Sequence, residues 1–158
     1  MTQPHPFQPR LEHAFSIEIE LNPAIYMSPS STGQTRAAVY LKEGKISGRI
    51  NGRVLPGSGG DWALIRADKV LDFDARYLLE LDDGTVIYMQ NRGYRWGSDE
   101  VMQAMREQKD VDPSAYYMRT IPRFEGPAGP HEWLYRHVFV GVAEKIPSAN
   151  RIHYFTVL

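Results

Sequence analysis

Between Leu11 and Leu21 the chain alternates. Leu11, His13, Phe15, Ile17, Ile19 and Leu21 fall on one side of an extended backbone, and Glu12, Ala14, Ser16, Glu18 and Glu20 on the other. A period of two marks a strand with one buried face. After the turn-rich "SPSSTGQT", the stretch "RAAVYLKEGKISGRI" reads as two short strands around a turn at Glu43-Gly44, and "LPGSGGDW" as a tight connection into "WALIRADKVLDFDARYLLEL". The pattern changes once, at "SDEVMQAMREQKD". There Ser98 is placed to cap a helix, Asp99 and Glu100 suit its first turn, and Val101, Met102 and Met105 share a side over residues 99–108, as a cover on one end of the fold would require. "SAYYMRTIPRF", "EWLYRHVFVGV" and "RIHYFTVL" then read as closing strands. About eight to ten short strands with one minor helix suit an antiparallel barrel or sandwich. Residues 1–10 hold three prolines and no periodicity, so they are expected to form a loose arm before a single domain over 11–158.

One hairpin can be read in more detail. Asp83-Gly84 is a strong signal for a two-residue loop, because a type I′ turn needs positive φ at both central positions. Such a loop sets Leu79 opposite Tyr88, Leu78 opposite Met89, Tyr77 opposite Gln90 and Arg76 opposite Asn91, and opposed residues share a face. One face then holds Phe73, Tyr77, Leu79, Leu81, Val86 and Tyr88; the other holds Asp74, Arg76 and Asn91 at one end and Leu78 and Met89 at the other. The second face is either the wet outside of the sheet or the mouth of a barrel. An unpaired Asp or Arg is too costly to bury dry, since each ion loses several kcal/mol of hydration.

Composition narrows the classes. A chain of 158 residues is about one domain long. There is no Cys, which removes disulfides, thiolate metal sites and thiol catalysis. Eighteen basic residues balance 19 acidic ones without a basic block, so the footprint of a nucleic-acid binder is missing. No apolar run approaches the ~20 residues of a membrane-spanning helix, and the first ten residues lack the pattern of a signal peptide, so a cytoplasmic protein without a membrane partner is the expectation.

Three segments carry a resemblance: "GRVLPGSGGDWALIRADKVLDFDARYLLELDDGTVIY", "YYMRTIPRFEGPAGPHEWLYRHVFVGV" and the closing "IHYFTV". Their recognisable pieces are Gly60-Asp61-Trp62, Asp74-Ala75-Arg76-Tyr77, Asp83-Gly84, Arg119-Thr120, Phe124-Glu125 and Trp133-Leu134. Together they resemble the bacterial and fungal family catalogued as domain of unknown function 3237, over most of the chain after residue 45. The resemblance implies a compact β-barrel-like domain and no particular reaction. The fold expected is therefore all-β, an antiparallel barrel of calycin-like or lipocalin-like shape.

If the polar hairpin face lines a barrel mouth, Arg76 is a planar donor suited to a carboxylate or enolate oxygen, Asn91 lies opposite, and Asp74 beside an arginine stays ionised as an acceptor or weak base. A second group is Arg119, Glu125 and Trp133, with Asp61 and Trp62 as neighbours. Arg119 with Glu125 across a turn suits a structural ion pair, yet Glu125 precedes the loop "EGPAGPH", where catalytic residues collect, and is the candidate general base. Trp62 and Trp133 either pack a core or cover an apolar ligand. Tyr88 is a further ligand contact or, with Tyr77, part of an apolar face for another subunit. His131 and His137, on a continuous strand, would stand roughly 20 Å apart, too far to share a metal, although His137 could meet His13 or His153 on a neighbouring strand. "GSGG" lacks the Lys of a phosphate loop, and no nucleophile elbow is present.

The expected function is binding of a small organic carboxylate or carbonyl compound with an apolar or aromatic body, without metal or cofactor. Cofactor-free isomerisation, elimination or cyclisation would follow if Asp74 or Glu125 moves a proton. The competing classes are a non-catalytic binding barrel and a structural homo-oligomer. A deep cavity with a raised-pKa carboxylate would favour the enzyme, a cavity without one the binder, and a filled barrel the oligomer.

Overall fold

The computed structural model describes residues 3–158. Residues 3–10 form no strand or helix, and Arg10 and Leu158 exchange backbone hydrogen bonds of 3.1 and 2.8 Å. The strands are β1 (Leu11–Leu21), β2 (Ile25–Met27), β3 (Thr35–Gly48), β4 (Gly52–Val54), β5 (Gly60–Asp61), β6 (Leu64–Ile65), β7 (Leu71–Leu81), β8 (Val86–Gly97), β9 (Tyr116–Glu125), β10 (Phe139–Ile146) and β11 (Ala149–Val157). Two short helices, α1 (Asp99–Arg106) and α2 (Trp133–Arg136), follow β8 and precede β10. Neighbours run in the order β1, β11, β10, β9, β8, β7, β4, β3, and β3 returns to β1. β5 and β6 continue β4 between β3 and β7, so the short strands act as one interrupted stave and the sheet closes as an eight-stranded antiparallel barrel. Among the described residues no helix is long and apolar enough to cross a membrane.

The alternating pattern carries this architecture. On β9 the burial alternates without a break, with Tyr116, Met118, Thr120, Pro122 and Phe124 inward and Tyr117, Arg119, Ile121, Arg123 and Glu125 outward. On β1 a bulge between His13 and Phe15 resets the phase: Phe15, Ile17 and Ile19 point inward, whereas Leu11 and His13 are exposed and Ala14 is buried.

Three expectations are corrected. Glu43 and Gly44 make no turn, because β3 continues unbroken between two partners: Gly44 pairs with Ile19 on one side and Val54 on the other. Its missing side chain serves close packing, since a Cβ there would stand 2.8 Å from both the Glu18 carbonyl and the Val54 side chain. "EWLYRHVFVGV" is not one strand. Backbone bonds from Leu134 N–H to the His131 carbonyl and from Tyr135 N–H to the Glu132 carbonyl turn its first part into α2, which buries Leu134, and the strand begins only at Phe139.

The third correction is the hairpin register. Gly84 N–H donates to the Leu81 carbonyl at 2.8 Å and Leu81 N–H to the Thr85 carbonyl at 2.9 Å, while Gly84 takes a φ of +84°. The loop is therefore Asp82-Asp83-Gly84, a type I turn followed by a left-handed glycine, instead of two residues. Pairing follows as Leu79 with Ile87, Leu78 with Tyr88, Tyr77 with Met89, Arg76 with Gln90 and Ala75 with Asn91. A shift of one residue turns every side chain of β8 over. Met89 and Asn91 go inside with Phe73, Tyr77 and Leu79; Tyr88 goes outside with Asp74, Arg76 and Leu78.

The two ends of the barrel differ. At the end near this hairpin, Phe15, Phe124, Phe139 and Tyr154 interlock with ring centroids 5.0 to 6.3 Å apart, and Trp133 packs tilted against Phe139 at 5.8 Å. Aromatic pairs at such separations add to the burial of their area, so this end is a solid plug. The opposite end, below α1, is hollow.

Candidate functional site

The hollow is a cavity of about 570 Å³. Ile19, Ala37, Ile65, Leu71, Phe73 and Met118 supply an apolar wall, and Met105 with Gln108 closes part of the rim. Ser98 caps α1 by accepting the Val101 N–H at 3.2 Å, which holds Met102 and Met105 down on the barrel. From the far side Ser148 N–H donates to Gln108 Oε1 at 2.9 Å. The cavity size suits a small organic molecule.

Polar groups converge in this apolar space. Asp61, Asn91, Arg95, Thr120, Tyr77, Lys145 and Asn150 all face it. Buried polar atoms normally have hydrogen-bond partners. Here Asn91 Oδ1, Arg95 Nε and Asn150 Oδ1 are buried without one, while the Tyr77 and Thr120 hydroxyls have the Tyr154 hydroxyl beside them. The Asn91 amide donates to the Tyr154 hydroxyl at 3.1 Å, so its oxygen is turned to the remaining space.

The charges are similarly exceptional. Burial pushes the Asp61 carboxyl from the usual range up to about 7, against the Asp74 N–H it accepts at 2.9 Å and the positive charge of Arg95, both of which favour ionisation. Burial likewise lowers the pKa of Arg95, and the charge of Asp61 works the other way. Among the described residues the two make no ion pair. Lys145 is brought down to about 8, mainly by burial and further by Arg95. Burial also raises the Tyr77 hydroxyl, which stays protonated as a donor. Four basic residues, Lys42, Arg95, Arg106 and Lys145, and one acid, Asp61, line the cavity of a chain whose formal net charge is −1. Such a space favours an anion.

The family model described as Protein of unknown function (DUF3237) matches residues 9–157. The chain belongs to the DUF3237 family. It is similar to a UPF0311 protein of Clostridium acetobutylicum, 37% identical over 147 residues that cover 92% of each chain. Among solved structures it resembles a conserved protein of unknown function from Rhodopseudomonas palustris, 30% identical with all of both chains covered and a TM-score of 0.88. An enzyme from Penicillium herquei, 22% identical over 99% of this chain and all of that one, has a TM-score of 0.73 and shows the shared fold.

Of the catalytic and ligand-binding candidates named from the sequence, this DUF3237 chain brings Asp61 and Asn91 into the cavity and leaves Trp62, Asp74, Arg76, Tyr88, Arg119, Glu125 and Trp133 outside it. Asp74 and Arg76 form an ion pair of 3.4 Å on the outer face, and Gln90 Nε2 donates to Asp74 Oδ1 at 3.0 Å. Tyr88, Arg119 and Glu125 share that outer face. Arg119 and Glu125 lie on one strand and make no ion pair among the described residues; Arg119 instead donates to the Met118 carbonyl at 3.0 Å and sits over the Tyr117 ring. Trp62 is 44% exposed and meets Tyr40 edge to face at 5.7 Å. Trp133 belongs to the plugged end, with the Arg49 guanidinium 3.9 Å from its ring centroid. His13 and His153 do approach each other, bridged by Ser16 at 2.9 and 2.8 Å, while His137 bonds to the Trp133 carbonyl; among the described residues no His, Asp and Glu group is placed to hold a metal.

Arg95, Lys145 and Thr120 were legible only through their phase. Each continues an inward alternation: Met89, Asn91, Gly93, Arg95 on β8, Phe139, Gly141, Ala143, Lys145 on β10, and Tyr116, Met118, Thr120 on β9. A polar residue on an inward run, at its end for Lys145 and within it for Thr120, is the signal.

Proposed function

We propose that the barrel binds a small organic carboxylate or carbonyl compound with an apolar or aromatic body, and that Asp61 moves a proton on it without a cofactor. The observation that carries this reading is the group of buried polar atoms without partners that face one cavity around a carboxyl titrating at about 7. Left unpaired, each such atom costs about 1–3 kcal/mol, and a ligand that pairs them recovers that energy. Arg95 is the donor for the ligand's carboxylate or for an oxyanion that develops as a proton leaves. A base is most effective when its pKa lies near the working pH, which favours Asp61 over a carboxylate that is always ionised. Tyr77 and Thr120 are donors, and Asn91 Oδ1 an acceptor, along the path of such a ligand. Isomerisation, elimination and cyclisation are the reactions that one proton-moving group and one anion holder serve.

The test is a screen of aromatic and aliphatic carboxylates and oxo acids by protein-observed NMR, with hits followed for turnover. Binding that is weakened at least about tenfold by Arg95→Met supports the ligand half, since losing a charge-assisted pair costs about 1.5–3 kcal/mol. Turnover lost in Asp61→Asn with binding retained supports the catalytic half. Binding without turnover of any hit would reduce the protein to a non-catalytic binding barrel. Hits that perturb only the outer face would overturn the site.

A further inference from the structure

We infer that Lys145 forms an imine with the carbonyl of an oxo acid whose carboxylate is held by Arg95. The inference rests on the cavity reading above and names the chemical class of its ligand.

Lys145 ends the inward run of β10 and lines the cavity, opposite Asn150 on β11. Its Nζ donates to the Ile146 and Ala149 carbonyls at 3.0 and 3.3 Å, which fixes the amine at the wall and leaves one position free. Among the described residues it makes no ion pair, unlike Lys69 and Lys109, which lie on Asp99 and Glu107 at the surface. Lys42, the other lysine of the cavity wall, is exposed at its rim. A half-buried amine with a neighbouring cation and no carboxylate is disfavoured as an ammonium ion, and a neutral amine is the nucleophile that carbonyl chemistry needs. Burial and Arg95 lower its pKa to about 8, so an appreciable fraction is neutral at physiological pH.

The step balances without an added reagent. The Nζ lone pair attacks the carbonyl carbon and a C–N bond forms. The carbonyl oxygen then leaves as water with the two amine hydrogens, and hydrolysis reverses the step. Arg95 draws in the carboxylate and suppresses protonation of the amine it faces. One residue therefore selects the ligand and prepares the nucleophile. An isolated lysine at the surface has neither advantage, and a cavity holding Arg95 alone would bind a carboxylate without discriminating an oxo acid from a simple one.

The experiment treats the full chain at pH 7 with 4-carboxybenzaldehyde and sodium cyanoborohydride, which reduces an imine to a stable secondary amine, and maps the product by peptide mass spectrometry. Expected is labelling at Lys145 about tenfold faster than at Lys45, Lys69 and Lys109, the gain from a larger neutral fraction offset in part by lower basicity. Excess benzoate should protect Lys145 and leave the surface lysines labelled. In Lys145→Arg and Lys145→Met the fast labelling should vanish. The wild-type map decides the matter even if neither variant folds. Labelling spread evenly over the exposed lysines overturns the inference. If benzoate then still perturbs the NMR signals of cavity residues, the imine fails and the carboxylate site stands; if benzoate perturbs none, both fall.

Discussion

Asp61 accepts the backbone N–H of Asp74 at 2.9 Å, so one carboxyl holds the strand residue that carries the other. The pair straddles the barrel wall. Asp61 faces the cavity, where burial lifts its pKa to about 7. Asp74 faces out; its slight burial opposes ionisation, but hydrogen bonds from Gln90 and Arg76 outweigh that and hold its pKa below the usual value. Two aspartates, one bond apart, are thereby shifted in opposite directions by the side of the wall on which each lies: at neutral pH Asp74 is ionised and Asp61 is about half protonated.

The first consequence concerns stability. Between about pH 4 and 7 the folded chain keeps a proton on Asp61 that the unfolded chain has released, so this group makes stability fall as pH rises through that window, with the full penalty above it. Asp61→Asn keeps an oxygen for the Asp74 N–H and cannot ionise. It is expected to be more stable than the natural chain at pH 8, by at most about 4 kcal/mol, with the advantage fading towards pH 4. Urea unfolding at pH 4, 6 and 8 measures this; a pH-independent difference would contradict a raised Asp61 pKa.

Arg95 couples the two titrating groups. Its charge lowers the pKa of Asp61 and that of Lys145. Arg95→Met is therefore expected to move both upward, Asp61 above about 7 and Lys145 above about 8. Carbon-detected NMR titration of the Asp61 carboxyl and the Lys145 side chain reads both shifts. No movement in either would show that the guanidinium does not act across the cavity.

Arg76 lies on the outer face at a side-chain exposure of 52%, paired at 3.4 Å with Asp74. Solvent screens such pairs strongly. Arg76→Ala is expected to leave the unfolding midpoint and the affinity for cavity ligands such as benzoate unchanged. A loss of ligand affinity with the fold intact would return the site to the outer face.

Gly84 carries the hairpin loop at a φ of +84°. A side chain there adopts the left-handed region with strain although it has open space around it. Gly84→Ala should cost about 1 kcal/mol and Gly84→Asn less, since Asn tolerates that conformation better. Urea midpoints of the two variants test the ranking, and an equal cost would point to a loop that has changed type.

The alternation of β1 past its bulge and of β7 was plain in the residues, and β9 was read as a strand, because a closed barrel needs one apolar face on every stave and the period of two follows from backbone geometry. The N-cap at Ser98 was equally local: one hydroxyl and one N–H three residues on. The site was far less legible. Asn91 was placed opposite Arg76 from an Asp-Gly pair that favours a two-residue loop, and the actual three-residue loop moved it to the opposite face. The difference between those loops is small in local energy, and the core decides it by burying Ile87 and Met89 in place of Val86 and Tyr88.

By itself, then, the chain of residues determined an antiparallel all-β fold, barrel or sandwich, with one capped helix, since local periodicity and capping are properties of neighbours in sequence; the choice of a barrel came from the family resemblance. Only the tertiary structure decided that Asp61, Arg95 and Lys145, from three separate strands, share one hollow end, and that Asp74 and Arg76 do not. Which residues meet across a barrel depends on register and closure, and the shifted ionisation of Asp61 and Lys145 depends on the burial that closure creates.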